Sequence, residues 1–219
     1  MKKTWVVGDI HGCYYTLINL LDELGHWDQL IFIGDYIDRG RHSNAVVDEL
    51  IKLQIYNFSD KVICLKGNHE DMCLHYYGKY DIIDFRVAKM WELNGKQATL
   101  DSYPGGYVLG RHLDWMLSLP ELYKDKNAYY VHAGLYPDGG VDGTCSEDRL
   151  WIRDEFLLSD HDFGKPVIHG HTPVERVQVS DTKVSIDTGC VQGNCLSAYC
   201  VETKEILSCP TDKTDIEEF

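Results

Sequence analysis

Short runs of β-branched and apolar residues alternate with longer stretches of helical apolar spacing near the start of the chain: Thr4–Val7, Tyr14–Leu24, Leu30–Ile33, Ser43–Leu53 and Lys61–Leu65. Each apolar run has the length of a strand buried on both faces, and the stretches between are long enough for crossover helices. This βαβαβ pattern predicts a largely parallel sheet. From about residue 70 to residue 126 strand signals vanish, and Trp91 and Leu93 precede an Asn94-Gly95 stop before Pro104-Gly105-Gly106 breaks the chain. A helical insertion is expected there. Beyond it, Ala128–Val131, Pro166–Ile168, Val174–Val179, Val184–Ile186 and Cys195–Val201 read as strands joined by short turns. The expected fold is α/β, two packed sheets flanked by helices, in one domain over residues 1–219. The polar, acidic end from about Pro210 to Phe219 is expected to be a loose tail.

Composition narrows the function. A chain of 219 residues with 44% hydrophobic and 26% charged residues has room for a substantial core and no signature of disorder. After Lys2-Lys3 the apolar stretch runs only from Trp5 to Val7, too short for a secretory signal. No later run approaches the roughly 20 residues of a membrane span. The expectation is a cytoplasmic protein with no membrane partner. A formal net charge of −14 argues against a nucleic-acid partner, because such binding needs clustered Lys and Arg. The 8 cysteines are scattered without a C-x-x-C pair and read as reduced core thiols. Cys190, Cys195 and Cys200 are spaced more widely than usual zinc pairs, and Cys13 is a weak candidate redox sensor.

Candidate chemistry lies at the ends of the apolar runs. Gly8-Asp9, Gly34-Asp35, Gly67-Asn68 and Gly170-His171 each follow such a run, and a fifth run ends in His132-Ala133-Gly134. Glycine lets backbone leave a strand and approach a ligand closely, and strand ends in an α/β sheet converge on one crevice. One Gly-Asp after a strand is ordinarily a plain turn; the recurrence is what points to a site. With His11 the set is Asp9, His11, Asp35, Asn68, His132 and His171. These oxygen and nitrogen donors, too many for one four-coordinate zinc, suit two divalent ions, with Mn the first choice and Fe or Zn also admitted. Asp35, central in the series, is the natural bridge, and a shared hydroxide the expected nucleophile.

The stretches Gly8-Asp9-Ile10-His11-Gly12, Gly34-Asp35-Tyr36-Ile37-Asp38-Arg39-Gly40 and Gly67-Asn68-His69-Glu70 resemble the phosphoprotein phosphatase family. His132-Ala133-Gly134, Trp151-Ile152-Arg153, Gly170-His171-Thr172 and Ile186-Asp187-Thr188-Gly189 complete the resemblance, which is to short bacterial and phage members such as the lambda phosphatase. It implies the four-layer metallophosphoesterase sandwich. It also implies a first metal on Asp9, His11 and Asp35, and a second on Asp35, Asn68, His132 and His171. Pro173 stands where the wider superfamily often has another His ligand, which would leave the first metal more water. A leaving alkoxide needs a proton, for which His69 is the acid and Asp38 its orienting partner. Arg39 and Arg153 are implied to grip phosphate oxygens, together with Asn68 and His69.

His26, His42, His75, His112 and His161 lie outside this pattern and are expected to be surface or structural. His169 and Asp187 are expected to pack or to support ligands. The leading expectation is a serine/threonine protein phosphatase-like phosphomonoesterase acting on phosphoproteins or small phosphate esters. The alternative is a dinucleoside tetraphosphate hydrolase. Those enzymes typically show Gly-Asn-His-Asp and lack the acidic residue before Arg, whereas this chain has Glu70 and Asp38. A non-catalytic binding module would show eroded ligands, and none is missing. Trp91, Asn94, Tyr103 and Tyr107 are the candidate substrate contacts from the helical segment, each equally consistent with packing.

Overall fold

The computed structural model describes residues 2–57 and 61–216. The first sheet takes β1 (Thr4–Val7), β2 (Gln29–Phe32) and β3 (Val62–Cys64), linked by α1 (Tyr14–Leu24) and α2 (Ser43–Asn57). Four helices follow: α3 (Asn68–Tyr76), α4 (Phe85–Leu93), α5 (Lys96–Ser102) and α6 (Gly110–Ser118). The second sheet starts with β4 (Leu122–Lys124) and β5 (Tyr129–Val131), and the short helices α7 (Gly140–Gly143), α8 (Ser146–Trp151) and α9 (Asp154–Leu157) lead to β6 (Val167–His169). The chain then forms β7 (Gln178–Val179), β8 (Lys183–Ser185), β9 (Cys195–Cys200) and β10 (Ile206–Pro210).

The sheets are five-stranded, ordered β10-β9-β1-β2-β3 and β4-β5-β6-β8-β7. Both are mixed. β1, β2 and β3 run parallel, while β9 lies antiparallel to β1 and to β10. β5, β6 and β8 run parallel, edged by antiparallel β4 and β7. The strand period explains the layers: Val6, Ile31, Ile168 and Val184 point between the sheets, whereas Trp5, Val7, Leu30 and Phe32 point to the helices on the first sheet's outer side. Val131 and Val167 pack outward with Ile152 and Phe156. Helices therefore cover both outer faces, and the strand ends stay free to carry loops. No helix among the described residues is long and apolar enough to cross a membrane.

Several elements differ from the sequence reading. β4 lies inside the expected helical stretch, because Leu122 and Tyr123 pair as an edge with Val131 and Tyr130. The strand expected over Val174–Val179 is reduced to Gln178–Val179. The loose tail from Pro210 is a larger correction. Pro210 pairs with Cys195, and Asp215 is buried, accepting bonds from the Tyr15 and Thr16 N–H groups at 3.0 and 2.8 Å and from the Thr16 hydroxyl at 2.7 Å. Residues 217–219 of that expected tail lie outside the described residues. Cys13, at the N-cap of α1, makes no side-chain cap bond, so Asp215 caps the helix from far along the chain. Asp215→Ala is expected to cost about 1–3 kcal/mol, read as a lowered denaturation midpoint at unchanged slope. An unchanged midpoint would show the cap to be replaceable by water.

Candidate active site and metal centre

The strand ends bring the sequence-predicted residues to one edge of the sandwich. Asp9 and His11 follow β1, Asp35, Asp38 and Arg39 follow β2, Asn68 and His69 open α3 after β3, His132 follows β5 and His171 follows β6. The loops are stitched together: His11 N–H donates to the Asp35 carbonyl at 2.8 Å, and Gly170 N–H to the His132 carbonyl at 2.9 Å. Gly170 is required here because a Cβ would collide with an Asp9 carboxylate oxygen. Among the described residues, the non-glycine positions with positive φ are His11, Asp35, Asp38, Arg39, His171 and Lys204. All but Lys204 belong to this site. Such strain costs on the order of 1–3 kcal/mol per residue and persists where surrounding structure imposes it.

Two groups of donor atoms form, His11 with Asp35 and His69, and Asp35 with His132 and His171, with the atoms of each group within 4.8 Å of one another. Asp35 belongs to both. Asp9 belongs to neither group; its Oδ2 accepts the His171 N–H at 3.1 Å. Asn68 Oδ1 lies 2.8 Å from His132 Nε2 and 3.1 Å from His171 Nδ1.

Hydrogen bonding fixes the tautomers. His11 Nδ1 donates to the Ile37 carbonyl at 2.8 Å, and His132 Nδ1 donates to the Ile33 carbonyl at 2.9 Å. Burial holds both rings below the usual imidazole range, so each Nε2 presents a lone pair. Those lone pairs face Asp35 oxygens at 3.4 Å. Arg39 Nη1 donates to His11 Nε2 at 2.8 Å. Burial, and then the charges of Asp187 and Asp35, push the Asp9 carboxyl well above the usual carboxylate range. Lone pairs aimed at carboxylate oxygens among crowded buried acids are an arrangement that divalent cations relieve. The residues present therefore fit a metal pair, on the chemistry of the donors themselves.

His69 is placed differently. Its Nδ1 donates to Asp38 Oδ2 at 2.6 Å, while its Nε2 lies 3.9 Å from Asp35 Oδ2. Burial opposes the charged ring, but Asp35 and Asp38 outweigh it and hold His69 above the usual imidazole range. Asp38 is itself held by the Trp91 indole N–H, at 2.7 and 2.9 Å from its two oxygens, and by the Thr99 hydroxyl at 2.5 Å. A Cβ on Gly95 would stand 2.7 Å from the Arg39 N, so glycine there lets α5 start against this loop. Arg39 and Arg153 are exposed beside the buried donors, and Arg153 Nη1 donates to the Thr172 hydroxyl at 3.2 Å.

Four residues around the site escape or outgrow the sequence reading. Of the residues open to substrate contact or packing, Trp91 is fully buried against Asp38, and Tyr103 is 3% exposed and bonded through its hydroxyl to His112 Nδ1 at 2.8 Å, so both pack. Thr99 carried no local signal. Glu70 accepts the N–H groups of Asp35, Tyr36 and Gly67 at 2.9, 2.8 and 2.9 Å, tying the second loop to the third; burial and Asp35 push its carboxyl up to about 7. Asn94 donates to the Met90 carbonyl, while Tyr107 is exposed. Asp187 sits near Asp9 and accepts the Gly189 N–H at 3.0 Å. His169 is buried with its Nε2 2.8 Å from the Ser185 hydroxyl. His26, His42, His75, His112 and His161 join neither donor group. Cys13 is fully buried, and a bond given by its S–H to Cys190, together with burial, pushes its thiol far up, which removes the thiolate a redox sensor needs.

Trp91→Phe keeps the ring packing and removes one donor to a buried carboxylate. The expected result is a fall in kcat of about tenfold or more with KM little changed. A variant that loses thermal stability but keeps kcat would assign Trp91 to packing alone.

Comparison with known proteins agrees with this arrangement. The sequence pattern of calcineurin-like phosphoesterases matches residues 2–195. The asymmetrical bis(5'-nucleosyl)-tetraphosphatase PrpE of Halalkalibacterium halodurans is 26% identical, over 97% of this chain and 96% of its own length. A solved structure provisionally assigned as a diadenosine tetraphosphatase superposes with a TM-score of 0.73 at 22% identity, covering 96% of this chain and 94% of its own. A protein serine/threonine phosphatase from Saccharomyces cerevisiae superposes with a TM-score of 0.59 at 18% identity, covering 99% and 81%. Metallophosphoesterases of this kind use a dinuclear divalent metal centre, which the His and Asp groups around Asp35 fit. The chain belongs to the calcineurin-like phosphoesterase family.

Proposed function

We propose that this phosphoesterase splits dinucleoside polyphosphates asymmetrically, into a nucleoside triphosphate and a nucleoside monophosphate when the bridge holds four phosphates. The observation that carries the metal chemistry is the sharing of Asp35 between two donor groups. Asp9, His11 and Asp35 hold one divalent cation, and Asp35, Asn68, His132 and His171 hold the other. Cations bound there supply Lewis-acid polarisation of a phosphoryl group and lower the pKa of water toward about 7.

The protein's own groups do the rest. Arg39 and Arg153, exposed beside the donor groups and each with further N–H groups beyond the one given to His11 or Thr172, pair with phosphate oxygens and orient the scissile phosphorus. Asn68 and His69 close on the same phosphate. His69, kept protonated by Asp35 and Asp38, donates its Nε2 proton to the departing oxygen. Asp38, with Trp91 and Thr99 behind it, fixes the ring.

The substrate class departs from the leading sequence expectation of a protein phosphatase. It rests on the tetraphosphatase relative, whose match spans nearly both chains. The two residues that favoured the protein phosphatase face the wrong way to report substrate. Glu70 is spent on four backbone N–H groups, those of Asp35, Tyr36, Ile37 and Gly67, and Asp38 on His69, Trp91 and Thr99. One observation favours the second reading, a phosphoserine or phosphothreonine phosphatase. A braced acid such as His69 matters most when an alkoxide leaves. Side-by-side kcat/KM values for diadenosine tetraphosphate, phosphopeptides and p-nitrophenyl phosphate test the choice. Preference for the dinucleotide, with ATP and AMP as products, is expected; preference for phosphopeptides overturns it.

A further inference from the structure

A cavity of about 840 Å³ opens beside the donor groups, within the size range of small-molecule sites. One wall is α3, which carries Asn68 and His69, and another is α8, which ends two residues before Arg153. On α3, Asp71 and His75 line it, about 5 Å and about 10 Å further along the helix axis than Asn68. On α8, Trp151 lines it while its ring stands edge-on to the His171 ring at 6.0 Å. Arg153 follows two residues later. The cavity therefore adjoins the donor groups through α3 and through the contact between the Trp151 and His171 rings.

Its chemistry excludes another phosphate. The carboxylates of Asp71, Glu121 and Glu147 line it, and Arg86 on the same wall is paired with Asp84 at 2.9 Å. Such a wall repels anions and accepts N–H groups. Flat and apolar surface completes it, with Tyr80 and Trp151 as rings and Val87, Met90 and Leu150 as aliphatic wall. The Tyr80 ring is fixed, its hydroxyl donating to Asp71 Oδ1 at 2.8 Å and receiving Lys66 Nζ at 3.3 Å. We propose that this cavity between α3, α4 and α8 receives a nucleobase of the substrate, stacked on its rings with the base N–H groups turned to its carboxylates. The assignment rests on the dinucleotide reading above and names where one end of that substrate lies.

Ile82 and Met90 line the cavity, are exposed, and lie outside the catalytic and metal-holding residues, so Ile82→Trp and Met90→Trp obstruct it without touching the fold's core. KM for diadenosine tetraphosphate is expected to rise about 5–150-fold in both, the worth of one base stack, with kcat/KM on p-nitrophenyl phosphate unchanged. Dinucleotide turnover with KM unchanged in both variants overturns the cavity assignment and leaves the proposed function standing. No dinucleotide turnover by the wild type overturns both. A KM rise confined to a phosphopeptide flanked by Lys or Arg assigns the cavity to a peptide side chain and overturns the nucleobase.

Discussion

Replacing His69 with Asn is expected to lower kcat on an alkyl phosphate by about 10²–10⁴-fold while bound metal and fold are retained. The Asn side chain can still bond to Asp38, and the backbone N–H of residue 69 still reaches Asp35 Oδ1, at 3.1 Å in the wild type. What it lacks is a proton to give. The loss depends on the leaving group. An alkoxide leaves as a strong base and needs the proton, whereas a polyphosphate, titrating near about 6, or a nitrophenolate departs with little help. The same variant is therefore expected to lose much less on diadenosine tetraphosphate and p-nitrophenyl phosphate. Equal losses on all three substrates would remove His69 from proton delivery, and unchanged turnover on the alkyl ester would remove it from catalysis.

Asp35→Asn is expected to have the second large effect, through metal content. The carboxylate lies in both donor groups, so the substitution withdraws charge from two sites at once. Outer partners of metal ligands are worth about 10–100-fold in affinity, and a shared ligand exceeds that. Both ions are expected to be lost together, and activity with them; loss of one ion only would refute the sharing. Stability gives an independent sign. Without metal, burial opposes the Asp35 charge but His132, His69, His11 and His171 outweigh it and hold the carboxyl below the usual carboxylate range, so the metal-free Asn variant is expected to unfold at a lower temperature than metal-free wild type at neutral pH. With Mn present the gap is expected to widen, because binding to the native state stabilises the wild type further.

How much of this is readable from the chain depends on sequence separation. The ligand candidates were legible because each sits beside a glycine at the end of an apolar run, and the parallel order of the strands carries those ends to one edge. The scaffold of the acid was not. Trp91 and Thr99 meet Asp38 across 53 and 61 residues, and no local pattern marks a tryptophan as a hydrogen-bond donor rather than a substrate contact. Asp215 caps α1 across about 200 residues, from a polar stretch with the composition of a tail. β4 and β10 are edge strands, whose polar positions blur the alternation that central strands display. Glu70 and Asp38 do not discriminate between the two substrate readings for a related reason. Their identity is visible in the motif, but the partners that consume their oxygens are visible only in three dimensions.

The most direct test of the Asp35-centred account is to titrate metal-free protein with Mn while measuring bound ions and phosphoesterase activity together. The account predicts that activity saturates at two ions per chain and that the metal-free protein is inactive. Full activity with one ion per chain, or with none, would contradict it.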